Sequence, residues 1–181
     1  VGRLVDDKAI DVLADAYRRY RHEAADPWPL VVAGVGPRAD LLAPIEGVEL
    51  LGFVQPTDLP SVFARAGCLV LPSRLEPWAV VVHEAVSAGL PVVCTRACGA
   101  STRLVLDGYN GVVVTPGSTH GLARALARIS GASAEERRAM GEASASLSRQ
   151  YTPDRWARVV LSRVPELRSE LGLGDRAFQA T

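Results

Sequence analysis

Short apolar runs separated by helical stripes set the fold class of this chain. Pro29–Ala33, Val48–Phe53, Leu69–Leu71, Pro91–Cys94 and Gly111–Val114 are each a few residues long and rich in Val and Leu. Runs of that length and composition read as buried strands. Between them, apolar residues recur at helical spacing: Ile10, Leu13, Ala14 and Tyr17, then Leu59, Val62, Phe63 and Ala66, then Val80 to Ala88, then Leu122 to Ile129. Strands that alternate with helices build a parallel sheet, because parallel neighbours need a crossover connection. The expected class is α/β, with a largely parallel sheet covered by helices on both faces. Ligands of such sheets bind outside the carboxyl ends of the strands. The loops that follow the strands are therefore where function is sought.

The punctuation between these runs refines the reading. Asp6 or Asp7 is placed to cap the first helix, and Val1 reads as the remnant of a strand before it. Gly34-Val35-Gly36-Pro37 is a turn, and Ala39–Leu42 a short helical piece. Thr57 or Asp58 starts the second helix, and Ser118 or Thr119 the one through Leu122–Ile129. A helical turn is expected at Ser101–Leu106 and a tight turn at Asp107-Gly108-Tyr109-Asn110-Gly111. Ser133–Glu136 opens one further helix, and Thr152-Pro153-Asp154 opens the last, through Trp156, Val159 and Val160. One domain is expected over residues 1–171, with a frayed tail at 172–181.

Twenty basic and 20 acidic residues cancel to a formal net charge of zero. A nucleic-acid partner favours a basic face and gains no support here. Cys68 and Cys94 sit in apolar runs and read as small core residues. Cys94 and Cys98 have no second ligand pair near them, so no metal site is expected. Cysteine usage suits a reducing, cytoplasmic compartment. No apolar run reaches the length of a membrane span. Membrane association is expected only through regions outside this chain, which reads as one half of a longer protein.

The loop after Leu71 concentrates chemistry. It reads Ser73-Arg74-Leu75-Glu76-Pro77-Trp78-Ala79-Val80-Val81-Val82-His83-Glu84. Gly89 with Pro91 closes the helix that begins near Val80. Glu76 then lies before the helix and Glu84 within it, with the free amides of the helix start between them. Those amides and the helix dipole attract phosphate. A carboxylate accepts hydrogen bonds from sugar hydroxyls. Phosphate donors flanked by two hydroxyl acceptors suit a sugar nucleotide. The Gly34-x-Gly36 pair is a weak dinucleotide signal by itself, since Ala39 stands where a third glycine would be.

The seven-residue gap between Glu76 and Glu84 resembles the E-x7-E signature of the family 4 retaining glycosyltransferases. Arg3 with Lys8, Gly34-x-Gly36-Pro37, Glu76-Pro77-Trp78, Glu84-Ala85, Gly89-Leu90-Pro91-Val92 and Asp107–Gly111 follow in the order of that family. The likeness runs from Val1 to about Ser130 and concerns the C-terminal, donor-binding half of a two-domain GT-B enzyme. It implies a Rossmann-like domain that binds a nucleoside diphosphate sugar, with the acceptor site on an N-terminal domain absent here. By resemblance, Arg3 and Lys8 neutralise the diphosphate. Glu76 holds the transferred sugar beside its anomeric centre. Glu84 binds the ribose, the backbone of Val54 meets the base, and the amides of Trp78, Ala79 and Val80 meet sugar and phosphates. Catalysis would rest on Glu76, Arg3 and Lys8, with no metal or other cofactor. The chain departs from the family at Ala79, a common glycine position, at His83, where Asn is frequent, and at Arg103, where many relatives carry Glu. Two other readings stand beside this one: another GT-B enzyme such as a sugar-nucleotide epimerase, and a non-catalytic nucleotide-binding module. The apolar face left by a missing domain could also drive dimerisation of the fragment.

Overall fold

The computed structural model describes residues 1–170. The elements are α1 (Ile10–Glu23), β1 (Leu30–Ala33), β2 (Val48–Gly52), α2 (Leu59–Ala64), β3 (Leu69–Leu71), α3 (Val80–Ser87), β4 (Val92–Thr95), β5 (Gly111–Val114), α4 (Thr119–Ser130), α5 (Ala134–Ser148) and α6 (Pro153–Glu170). Val1–Ser148 forms one compact unit, and a second begins at Arg149. The division falls before α6, inside the span that the sequence reads as a single domain. The tail expected at 172–181 lies outside the described residues.

All strand pairings are parallel. They fall into two sheets, β1–β2 and β3–β4–β5, instead of one continuous sheet. The facing edges of β1 and β3 are unpaired with each other and border a cavity of about 510 Å³ lined by Leu30, Val31, Leu69, Val70, Val1 and Trp28. The segment after Val1 hangs on the end of β1 through Gly2 N–H to Ala33 O at 2.9 Å and Leu4 N–H to Val35 O at 2.9 Å.

Helices cover both faces, as the periodicity predicts. Successive side chains of a strand point to opposite faces, and β4 shows the result. Val93 joins the core built with α1 and α4, whereas Val92 and Cys94 join the core built with α3. Every residue of β4 is buried. A strand buried on both faces must be apolar throughout, which is why Val92-Val93-Cys94 shows no alternation.

Side-chain caps start α4 and α5. Ser118 accepts from Gly121 N–H at 3.1 Å and starts α4 as expected. Ser133 and Glu136 form a reciprocal capping box at α5, with Ser133 N–H to Glu136 Oε2 at 2.7 Å and Glu136 N–H to Ser133 Oγ at 3.1 Å. The first helix differs from expectation. Asp6 and Asp7 lie in a short 3-10 turn, Asp6–Lys8, and neither caps α1. Ala9, in the left-handed region at φ 51°, links that turn to the helix. The helical turn expected at Ser101–Leu106 is a 3-10 turn at Gly99–Thr102. Asn110 of the tight turn is fully buried and fully used. It accepts from Leu106 N–H at 2.7 Å, and donates to Leu104 O at 2.9 Å and to Ser144 Oγ at 3.1 Å. Ser144 in turn donates to Leu90 O at 2.8 Å, which ties α5 to the turn after α3.

In the second unit, α6 starts at Pro153, where a proline costs no helix hydrogen bond. Trp156, Val159 and Leu161 on it are exposed.

Candidate functional site

The residues singled out for chemistry gather at the carboxyl ends of the strands. Gly34 and Gly36 follow β1, Val54 follows β2, Ser73–Ala79 follow β3, and Arg96–Cys98 follow β4. Arg3 and Lys8 lie in the segment that runs beside the end of β1 into α1.

Lys8 and Glu76 are brought together. Lys8 Nζ donates to Glu76 Oε2, with both side chains mostly buried. Lys8 is the single lysine among 20 basic residues; every other is arginine. An ammonium is a compact point charge with rotatable donors, whereas guanidinium is a planar fork. The one position that uses lysine is thus the one in contact with the loop glutamate. That count is a signal available in the sequence which spacing alone does not show.

Arg3 is exposed and, with Lys8, borders a small cavity of about 40 Å³ beside β1. Glu84 is exposed on α3. Trp78 is 42% exposed and Val80 64%, whereas Ala79 between them is buried. Val54 is half-buried after β2, on the other sheet from Glu76 and Glu84. The described structure shows no hydrogen bond from Glu84 or Arg3 to another predicted site residue. Its direct link within the set is Lys8 with Glu76.

The start of α3 leaves backbone amides free. Val82 N–H is taken by Ala79 O at 3.0 Å, and no backbone acceptor among the described residues takes the amides of Ala79, Val80 or Val81. Unpaired amides at a helix N-terminus are anion donors. Ala79 sits there at φ 71°, ψ 81°. Left-handed backbone costs a residue with a β-carbon roughly 1–2 kcal/mol. Glycine recovers that cost but loses about 0.4–1 kcal/mol through the freer unfolded chain. Ala79→Gly should therefore raise the melting temperature by about 1–4 °C. A drop on differential scanning calorimetry would show that the Ala79 methyl contributes more by packing than its backbone loses.

The loops around Glu76 are locked together. Glu76 N–H donates to Ala97 O at 3.2 Å, Gly99 N–H to Glu76 O at 2.9 Å, and Ala100 N–H to Trp78 O at 2.9 Å. A β-carbon at Gly99 would stand 2.0 Å from Pro77 O, so only glycine allows this approach. Thr95 Oγ1 donates to Ser73 O at 2.6 Å in the buried base of the loop. Cys98 is buried beside Glu76 and donates to Trp78 O at 3.4 Å. The neighbouring Cys94 thiol holds Cys98 below the usual thiol range, and Cys94 is raised by Cys98 and by burial. The core role expected for Cys94 holds, and Cys98 shares it. His83 Nε2 is buried without a hydrogen-bond partner.

Sequence reasoning missed Arg74. Its backbone N–H donates to Asp7 O at 2.8 Å, and its guanidinium reaches Asp6 O at 3.1 Å. The same guanidinium grips Asp11 through both carboxylate oxygens, at 2.8 and 2.6 Å. The hydrogen bond from Arg74 holds the Asp11 carboxyl down at about 2. A carboxyl lowered on folding keeps its contribution above its unfolded value and loses it as pH falls through the folded one. The pair therefore stays ionised until the pH approaches 2.

The glycosyl transferases group 1 family profile matches residues 1–131 of this chain. The chain belongs to that family. Glycogen synthase of Mycobacterium tuberculosis is 32% identical over 133 residues, covering 70% of this chain and 32% of the relative. The C-terminal domain of a glycosyl transferase group 1 protein from Francisella tularensis superposes with a TM-score of 0.72 at 22% identity, over 83% of this chain and 82% of that domain. The pneumococcal O-GlcNAc transferase, solved with UDP and GlcNAc, superposes with a TM-score of 0.74 at 18% identity, over 96% of this chain and 35% of that one. The group 1 chain described here spans about a third of the length of the first curated relatives it matches. The solved structures establish its fold as one Rossmann-like half of GT-B.

Proposed function

We propose that this chain is the donor-binding domain of a retaining glycosyltransferase. The enzyme would move a sugar from a nucleoside diphosphate to an acceptor hydroxyl, with the anomeric configuration kept. The observation that carries the reading is the meeting of Lys8 with Glu76 beside the free amides of α3. It sets an ammonium, a carboxylate and a row of N–H donors around one loop.

Each group has a task in that reaction. The leaving diphosphate gains negative charge as the glycosidic bond breaks, and fixed donors lower the barrier by stabilising it. Lys8, Arg3 and the amides of Ala79 and Val80 supply that positive potential, and no metal is assigned to the step. Glu76 accepts from hydroxyls of the transferred sugar, and Lys8 beside it reaches the phosphates. Glu84 accepts from the ribose, and the backbone of Val54 meets the base. The backbone at Trp78 holds the sugar against the loop. UDP and GlcNAc in the pneumococcal neighbour support a nucleotide sugar as the donor class. The acceptor and the facing wall of the cleft belong to a second domain of the same protein, and the compartment is cytoplasmic.

The test is transfer by the protein that contains this chain, with product analysis. Nucleoside diphosphate sugars are supplied, and the anomeric proton coupling of the new glycoside is read by NMR. Retention is expected. An inverted product would overturn the retaining reading. Conversion of the nucleotide sugar itself, with no glycoside formed, would replace it with the epimerase.

A further inference from the structure

Lys8 and Glu76 come from segments 68 positions apart, and neither segment is stiff by itself. Lys8 ends a three-residue 3-10 turn that joins α1 through the left-handed Ala9. Glu76 lies in an extended loop between β3 and α3. Something must hold the turn against the loop if the two charges are to meet at one point.

We infer that Arg74 is a positioning residue that ties the loop carrying Glu76 to the turn carrying Lys8. The geometry has three parts. The Arg74 amide donates to Asp7 O, one residue before Lys8. Its guanidinium donates to Asp6 O at the start of the turn. The two-pronged grip on Asp11 then fixes the first turn of α1, two residues beyond Ala9. The ties therefore fall on both sides of Lys8 and Ala9. Arg74 itself stands two residues before Glu76, so a shift of the turn relative to Arg74 is a shift of Lys8 relative to Glu76. A planar, two-pronged donor suits this task because it fixes direction as well as distance. Both Arg74 and Asp11 side chains are roughly half exposed. Such a pair adds little to global stability, so its consequence is local geometry. Arg38 donates to Asp6 Oδ1 at 2.6 Å on the same turn but makes no link to the Glu76 loop.

This inference rests on the donor-site reading for its functional meaning, but its geometry can be tested without a ligand. Lys8 is the only lysine, so the rate of reductive methylation at an ε-amine reports this one site by peptide mass spectrometry. In the native chain Lys8 is held against Glu76 and should label slowly. Arg74→Gln and the nearly isosteric Asp11→Asn should each speed the labelling by about three- to tenfold. Arg138→Gln, which breaks an exposed pair with Glu142 on α5, should leave it unchanged. A native rate in both Arg74→Gln and Asp11→Asn would overturn the inference, and so would equal acceleration in Arg138→Gln. A second measurement reads the function. Affinities for UDP and UMP, or for the pair whose base binds, are compared by calorimetry. Loss of the native preference for the diphosphate in Arg74→Gln is expected, because Lys8 is misplaced there. An unchanged preference would overturn the inference. If the native chain binds neither nucleotide, the donor-site reading fails, while the labelling still decides the role of Arg74.

Discussion

A nucleoside diphosphate at about a hundred times its dissociation constant should raise the melting temperature of the native chain by roughly 5–10 °C, and Lys8→Ala should lose most of that rise. The arithmetic is direct. Such a concentration stabilises the folded state by about 2.7 kcal/mol. Removing one hydrogen bond to a charged group costs roughly 1.5–3 kcal/mol of binding. The dissociation constant then rises by about ten- to 150-fold. The same ligand concentration would stabilise Lys8→Ala by only about 0.3–1.3 kcal/mol. The quantity to compare is the shift in each protein, because Lys8→Ala also leaves the mostly buried Glu76 without its cation. UDP, GDP, ADP and CDP form the panel, with Glu84→Ala as a second variant that removes the ribose acceptor. The nucleotide that shifts the native chain alone names the base. An equal shift in native and Lys8→Ala would remove Lys8 from the donor site.

Gly34→Ala should destabilise the chain by about 3 kcal/mol and lower its melting temperature by roughly 6–12 °C. Gly34 has φ +152°, and a β-carbon there would stand 1.8 Å from Gly2 O. The obstacle is backbone, which cannot rotate aside. Relief would push the Gly2–Leu4 segment off the end of β1 and carry Arg3 with it. Gly52 provides the control. Its φ is +68°, and a β-carbon would meet nothing within 4 Å. Gly52→Ala therefore bears only the backbone cost of roughly 1–2 kcal/mol. Calorimetric melting of both variants separates close approach from backbone strain. If Gly34→Ala falls no further than Gly52→Ala, the close approach carries no energy. The glycine pair after β1 thus allows the close approach of two backbone segments.

What the sequence disclosed and what it hid divide along physical lines. Strands β3 and β4 were legible because burial on both faces leaves unbroken apolar runs. The start of α4 was legible because Ser118 caps it within three residues. The segment bearing Glu76 and Glu84, a loop running into α3, was legible because its spacing is local. The start of α1 was not, because Ala9 adopts a backbone that alanine disfavours, and composition offers no hint of it. Arg74 was hidden for a different reason. Its partner Asp11 is 63 positions away, and a single charge pair at that distance leaves no periodic trace.

The strands of the two sheets differ in how many partners hold them. β4 has a partner on each side and no exposed residue, so its amides can open only when the whole three-stranded sheet does. β1 has a single partner, and β2 beside it carries no fully buried residue. Arg3 and Val54 are attached to the two-stranded sheet, and Glu76 and Glu84 to the three-stranded one. A ligand that grips all four residues bridges the two sheets, and the strands with fewer partners have more freedom to lose as it binds. The same ligand should then slow amide exchange along β1 and β2 far more than along β4, which has little freedom left to lose.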